Sequence, residues 1–211
     1  KLAQKRLPES ISDYLCAECG GREKLFSTLK FCALVHDIGK LTIVFQSRIY
    51  DAVDFSPFAG CVELPKSSSL VNAPNTPHAL ASEAILLKLG CREGVASIAG
   101  AHHGRPSAWA DVRDQISGAC TAVENFYGKR GKYRQLFESL WKEWIDFSLE
   151  CAGFSELSDL PDMAVPAQVV ISGMLVTADW IASNTTYFPL ISADQKGEFG
   201  DYPKRIENAW T

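Results

Sequence analysis

Six residues able to bind a divalent cation are spread along this chain in the order His-Asp, His, His-His, Asp, and any fold it adopts must either gather them or give each a separate role. They are His36 and Asp37 in FCALVHDIGK, His78 in TPHALASEAILL, His102 and His103 in AHHGRPS, and Asp179 in LVTADWIASN. The 211 residues contain four histidines, and all four belong to this set. Asp179 falls in an apolar, helix-like stretch, where a carboxylate without a partner is costly to bury. The pattern favours one cluster over scattered core or surface positions.

Around these residues helical periodicity dominates and the strand signal is poor, so the chain reads as all-α. Residues 22–37 form an amphipathic helix whose buried side is Leu25, Phe26, Leu29, Phe31, Cys32 and Val35, with Gly39 as its stop. His36 and Asp37 then sit at a helix end. The stretch 43–75, rich in Ser, Pro, Asn and Asp, reads as a long irregular segment. Thr76 as N-cap and Pro77 as first helical residue open the next helix, Gly90 closes it, and His78 projects from its first turn. A short helix over 93–103 ends at Gly104 and carries His102 and His103 in its last turn. Residues 133–151 form a further helix with a core stripe of Leu136, Phe137, Leu140, Trp141 and Trp144, and Pro166 opens the last long helix, which holds Asp179 and, one turn on, Ser183.

The length suits one domain spanning 1–211. Seven cysteines, odd in number and without a secretory signal, point to reduced thiols and a cytoplasmic protein. Cys16 and Cys19 make a CxxC, but no second Cys/His pair stands at zinc-finger spacing. No apolar run reaches the roughly 20 residues that span a bilayer. The net charge of −4 lacks the strongly basic footprint of a duplex-binding module. A nucleic-acid substrate would therefore be held by a local groove, by metal ions or by a partner. GKRGKYR at 128–134 is the visible candidate patch, although such runs are usually solvated. No GxxxxGK phosphate loop is present, so the sequence carries no ATP-driven motor signature.

Neutral imidazole and carboxylate suit divalent Mn, Fe, Co, Ni and Zn, and a His/Asp set can hold two ions if one carboxylate bridges them. Asp37 is the natural bridge. Lys40 follows within reach of the same face, either as a chemical participant or as a lysine complementing the helix dipole.

The order of these residues, with HDIGK, Phe45 and Gln46, PHALASEAILL, AHHGRPS and ADWIASN, resembles the HD superfamily of metal-dependent phosphohydrolases. Within it the chain is most similar to the nuclease domain of the CRISPR-associated helicase-nuclease of type I systems. The resemblance implies a metal cleft with one ion held by His36, Asp37 and Asp179 and a second held by Asp37, His78, His102 and His103. Mg joins the candidate metals, one or two per chain. It implies Asp37 and Lys40 as catalytic residues, Lys40 acting electrostatically on phosphate or on the attacking water. Two such ions serve in-line phosphodiester hydrolysis without a protein nucleophile. The implied substrate is single-stranded DNA exposed by a guide-RNA surveillance complex, with a helicase domain or subunit as partner and 200–211 as the start of a connector to it.

One departure stands out. The family places a further histidine in the first helix, and LPESISDYL has Ser10 there, with Asp13 one turn away. The site of His36, Asp37 and Asp179 is thus expected either to be completed by Asp13 or water or to bind metal more weakly. Two other readings remain at this stage: an HD phosphohydrolase acting on nucleotides or cyclic nucleotides, for which Lys40, Arg48 and Arg105 are the evident phosphate contacts, and a scaffold with weakened catalysis.

Overall fold

A computed structural model describes Ala3 and residues 7–53, 63–70, 72–117, 120–190 and 202–210. Among them the secondary structure is helical, with no strand. The helices are α1 (Glu9–Cys19), α2 (Arg22–Val35), α3 (Ile43–Ala52), α4 (His78–Lys88), α5 (Glu93–Gly100), α6 (Trp109–Ile116), α7 (Cys120–Tyr127), α8 (Arg134–Ala152), α9 (Val165–Ala182) and α10 (Tyr202–Trp210). Short 3₁₀ turns at Ile38–Lys40, Ser67–Ser69 and Ala73–Asn75 link several of them.

The centre of the fold is α4, buried on every side from Ala79 to Leu86, a stretch apolar at every position but Ser82 and Glu83. It packs against α5, against α6 and against the Ile38–Lys40 turn. The small residues of α5, among them Gly94, Ala96, Ala99 and Gly100, are buried and permit close approach of neighbours. Helix α2 lies between α8 and α9, while α9 also reaches α5 and α1. Trp141 of α8 is fully buried, and its indole Nε1–H donates to Leu41 O at 2.6 Å, tying the far helix to the segment after HDIGK.

Several sequence expectations shift. The irregular reading of 43–75 fails at its start, because Ile43–Ala52 is helical and buries Ile43, Val44 and Ser47. Residues 54–62 and 71 lie outside the described residues. Pro77, one place later than expected, takes the N-cap position of α4, and the Thr76 hydroxyl turns instead to Gln115 and Asn125. In α8 the core side is Phe137, Trp141, Ile145 and Leu149, whereas Leu136 and Trp144 are exposed, so the stripe is rotated from the expected one. In α2, Phe26 and Leu29 are only partly buried, and Thr28 takes a core place. Of the expected connector, 202–210 is helical, and 200, 201 and 211 lie outside the described residues. Helix α9 is long and apolar enough to cross a membrane by length and composition, yet it buries Ala167, Ile171 and Leu175 in the core.

Gly39 is the most informative correction. It does not end a helix through a left-handed conformation, since it is absent from the positive-φ residues. Its role is close approach: a Cβ there would lie 2.0 Å from His78 O and 2.6 Å from Ser82 N. The Gly39 N–H instead donates to Ser82 Oγ at 2.9 Å. Gly39→Ala should therefore push the turn off α4 and cost on the order of 3 kcal/mol or more. Urea unfolding of the variant measures this, and a loss within about 0.5 kcal/mol would show that the contact yields freely.

Candidate metal centre

Helix ends deliver the donor atoms. His36 is the C-cap of α2, and Asp37 follows with φ −99° before the Ile38–Lys40 turn. His78 opens α4, held over that turn by the Gly39 contact. His102 and His103 occupy the turn after α5, closed by Gly104 at φ +91°. Asp179 comes from the last turn of α9.

The structure brings these six residues together. The Nε2 atoms of His102 and His103 stand 3.2 and 2.8 Å from His78 Nε2, and one ligand atom from each of the three lies within 4.8 Å of the others. Asp37 divides its carboxylate between two sides. Its Oδ1 faces His78 Nε2 at 3.4 Å and His102 Nε2 at 3.6 Å. Its Oδ2 faces His36 Nε2 at 3.3 Å and Lys40 Nζ at 2.6 Å. Asp179 Oδ1 completes the set, 3.8 Å from His36 Nε2, and accepts from Ser183 Oγ at 3.3 Å.

Two rings are fixed by their own backbone. His36 Nδ1 meets Ala33 O at 2.8 Å and His102 Nδ1 meets Ala99 O at 2.6 Å. A carbonyl only accepts, so each Nδ1 carries the hydrogen and, in the neutral ring, each Nε2 presents a bare lone pair to the cluster. This is the outer-shell arrangement that orients metal-binding imidazoles. His36 Nε2 and Asp37 Oδ1 are buried and have no hydrogen-bond partner. Lys40 Nζ donates to Asp37 Oδ2, but the other acceptors crowded here repel one another, and a shared divalent cation would satisfy them, so the donor set fits a metal.

The titration behaviour follows from the same crowding. Burial lowers the His78 pKa to about 4, with the neighbouring His102, His103 and Lys40 adding to the effect against the pull of Asp37. Burial likewise lowers that of His102. Burial opposes the ionisation of Asp37, but the hydrogen bonds and charges of His36 and Lys40 outweigh it and hold the carboxyl well below its usual range. For His36, burial opposes protonation, and the adjoining Asp37 prevails to raise its pKa. His78 and His102 are therefore bare ligands, and Asp37 an anion, at neutral pH.

Ser10 and Asp13 are exposed on α1, and among the described residues no hydrogen bond or ion pair joins either to the cluster. The basic turn at 128–134 is built on Gly128 and on Arg130 at φ +56°, and its Arg134 is partly neutralised by Glu138 at 3.3 Å. The Cys19 thiol of the CxxC is buried against Met163 Sδ at 3.7 Å.

Sequence reasoning missed Glu83. It is 6 % exposed, its Oε2 has no hydrogen-bond partner, and it fills the hollow that Gly100 leaves, where a Cβ would meet Oε2 at 2.1 Å. The signal was a lone charge inside the apolar run HALASEAILL. Burial raises its pKa to about 7, against the smaller opposing effect of the Ser107 hydroxyl.

Comparison with known proteins places the chain in context. The family profile described as Cas3, HD domain, matches residues 1–188. The CRISPR-associated nuclease/helicase Cas3 of Streptococcus thermophilus is 32% identical over 197 residues, covering 86% of this chain and 20% of that protein. The crystal structure of T. fusca Cas3 superposes with a TM-score of 0.59 at 19% identity, over 99% of this chain and 22% of that one, a likeness of fold. The chain thus spans about a fifth of the length of either relative.

Glu83 generates a pH prediction. Its folded-state pKa, about 7, lies above its ordinary value of 4.5, so the folded form holds the proton more tightly. The penalty is absent below about pH 4.5, grows as pH rises, and is complete above about 7, at roughly 3 kcal/mol. Glu83→Gln removes it. Urea unfolding should show parent and variant nearly equal below about pH 4.5 and the variant more stable by on the order of 3 kcal/mol at pH 8. A difference independent of pH would refute the buried-carboxyl account.

Proposed function

Because this chain belongs to the Cas3 HD-domain family, we propose that it is a CRISPR-associated nuclease that hydrolyses single-stranded DNA with one or two divalent metal ions. The observation that carries this reading is the convergence of four imidazoles and two carboxylates, with His36 Nε2 and Asp37 Oδ1 buried and unsatisfied.

His78, His102 and His103 with Asp37 Oδ1 form one donor group, and His36, Asp179 and Asp37 Oδ2 form the other. Asp37 belongs to both, which supports a bridging role. Divalent ions held by these residues would supply Lewis acidity toward the phosphodiester and would lower the pKa of water enough to provide hydroxide near neutral pH. The chain's own part is preorganisation. The backbone bonds of His36 and His102 fix ring and tautomer before any ligand arrives. Lys40 is anchored by its ion pair to Asp37 with its side chain 42% exposed, so its ammonium is available to an incoming phosphate oxygen. Gln46 Nε2 donates to Lys40 O at 2.8 Å and the Thr42 hydroxyl to Gly39 O at 2.9 Å, which stiffens the backbone that carries it.

A net charge of −4 gives no broad basic face to capture nucleic acid unaided. That supports delivery of the strand by a helicase domain or subunit working with a guide-RNA surveillance complex, as does the similarity to a protein named nuclease/helicase.

Paired substitutions test the assignment. With Mn²⁺ followed by isothermal titration calorimetry, Asp37→Ala should lose binding at both donor groups and abolish cutting of circular single-stranded DNA. Lys40→Ala should retain the parent's metal stoichiometry while slowing cleavage on the order of a hundredfold. Equal metal loss in both variants would make Lys40 structural, and an Asp37→Ala protein that still binds two ions would end the bridging assignment.

A further inference from the structure

Beside the metal centre an aromatic ring stands partly open to solvent without a role in holding the fold's core. Phe45, in the first turn of α3, meets His78 edge-to-face with ring centroids 5.5 Å apart, and Lys40 Nζ lies 5.8 Å from its ring centre. It thus touches one residue of each kind the centre uses, an imidazole donor and the phosphate-facing cation. Arg48, three residues on and on the same side of the helix, is exposed, as is Ile49. The opposite side of α3, with Ile43, Val44 and Ser47, is buried.

The helix is held in place at its start. Thr42 is fully buried with its hydroxyl on Gly39 O, Gln46 is bonded to Lys40 O, and Leu41 O receives the indole of Trp141. Phe45 therefore projects from rigid backbone, at little entropic cost for a ligand that covers it.

The geometry points to α3 as a shelf for the substrate strand, with Phe45 stacking the nucleobase next to the phosphate at the metal centre and Arg48 pairing with a neighbouring phosphate. The inference rests on the single-strand reading above. A strand whose phosphate lies at Lys40 has the attached base within reach of the adjoining ring. A π-face accepts any base, which suits cutting without sequence preference. With Lys40 Nζ 5.8 Å from the ring centre, the phosphate-facing cation and the aromatic ring stand side by side.

The test uses the Mn²⁺-loaded chain and a short phosphorothioate-linked oligothymidylate that resists cleavage, compared with a strand of the same backbone bearing a run of abasic sugars. Fluorescence anisotropy should show the parent preferring the base-bearing strand by roughly tenfold. Phe45→Ala should lose that preference, Phe45→Trp should keep it, and both should retain the parent's Mn²⁺ affinity. Arg48→Ala should weaken both strands alike and flatten the salt dependence by about 0.7 in the log–log slope. A base preference that survives Phe45→Ala, or a parent that binds both strands equally, overturns the shelf. So does a loss of Mn²⁺ by Phe45→Ala, which would make the ring a buttress for His78. A parent that shows the expected base preference yet leaves ordinary single-stranded DNA uncut would uphold the shelf and refute the nuclease reading instead.

Discussion

The architecture turns on one steric fact, the contact of the Ile38–Lys40 turn with the first turn of α4. Only a residue without a side chain lets these two backbones meet, and Gly39 is buried against His78 and Ser82 at that point. The contact sets the separation between Asp37 and His78, which come from different helices. From it the rest follows: α4 is enclosed by α5 and α6, α5 delivers His102 and His103, and α9 crosses α5 and α2 to present Asp179. Donors from α4 and α5 thus face the Asp37 carboxylate, and Asp179 from α9 faces the adjoining His36, because two backbones are allowed to touch.

Electrostatically the centre is a cluster of acceptors whose chemistry suits a cation. Neutral His78 and His102, anionic Asp37 and the fixed Nδ1–H donors of His36 and His102 leave lone pairs pointed at one another. Lys40 and the raised pKa of His36 offset part of this repulsion. A cation held there would relieve the rest of it and stabilise the fold, the usual linkage between metal binding and stability.

Much of this was legible in the sequence because the chemistry is concentrated in rare residues. The spacing of His36, His78, His102 and His103 and the lone Asp179 in an apolar helix pointed to a cluster before any coordinates, and the period of α2, α8 and α9 carried the all-α class. What escaped were features decided by neighbours distant in the chain. Helix α3 begins with three consecutive apolar residues and is followed by Ser- and Pro-rich sequence, so its periodicity was too short to read; α7 and the Ser67–Ser69 turn pack against it. The rotation of α8 that exposes Trp144 goes with a bond from its indole N–H to Leu34 O, 110 residues away in the chain. Gly39 looks like any helix stop, since close approach between backbones leaves no local mark. Glu83 was visible as a charge out of place, but its meaning depends on Gly100 opposite.

The wide separation of the donors along the chain has a consequence for biosynthesis. During vectorial synthesis His36, Asp37, His78, His102 and His103 emerge well before α9, and Asp179 is the last to leave the ribosome. A nascent or truncated product that stops short of α9 has the His78, His102 and His103 group but not the full second group, and it also lacks the helix that packs against α2 and α5. Assembly of the full donor cluster is therefore coupled to synthesis of α9, so copies that stop short of it lack the assembled cluster.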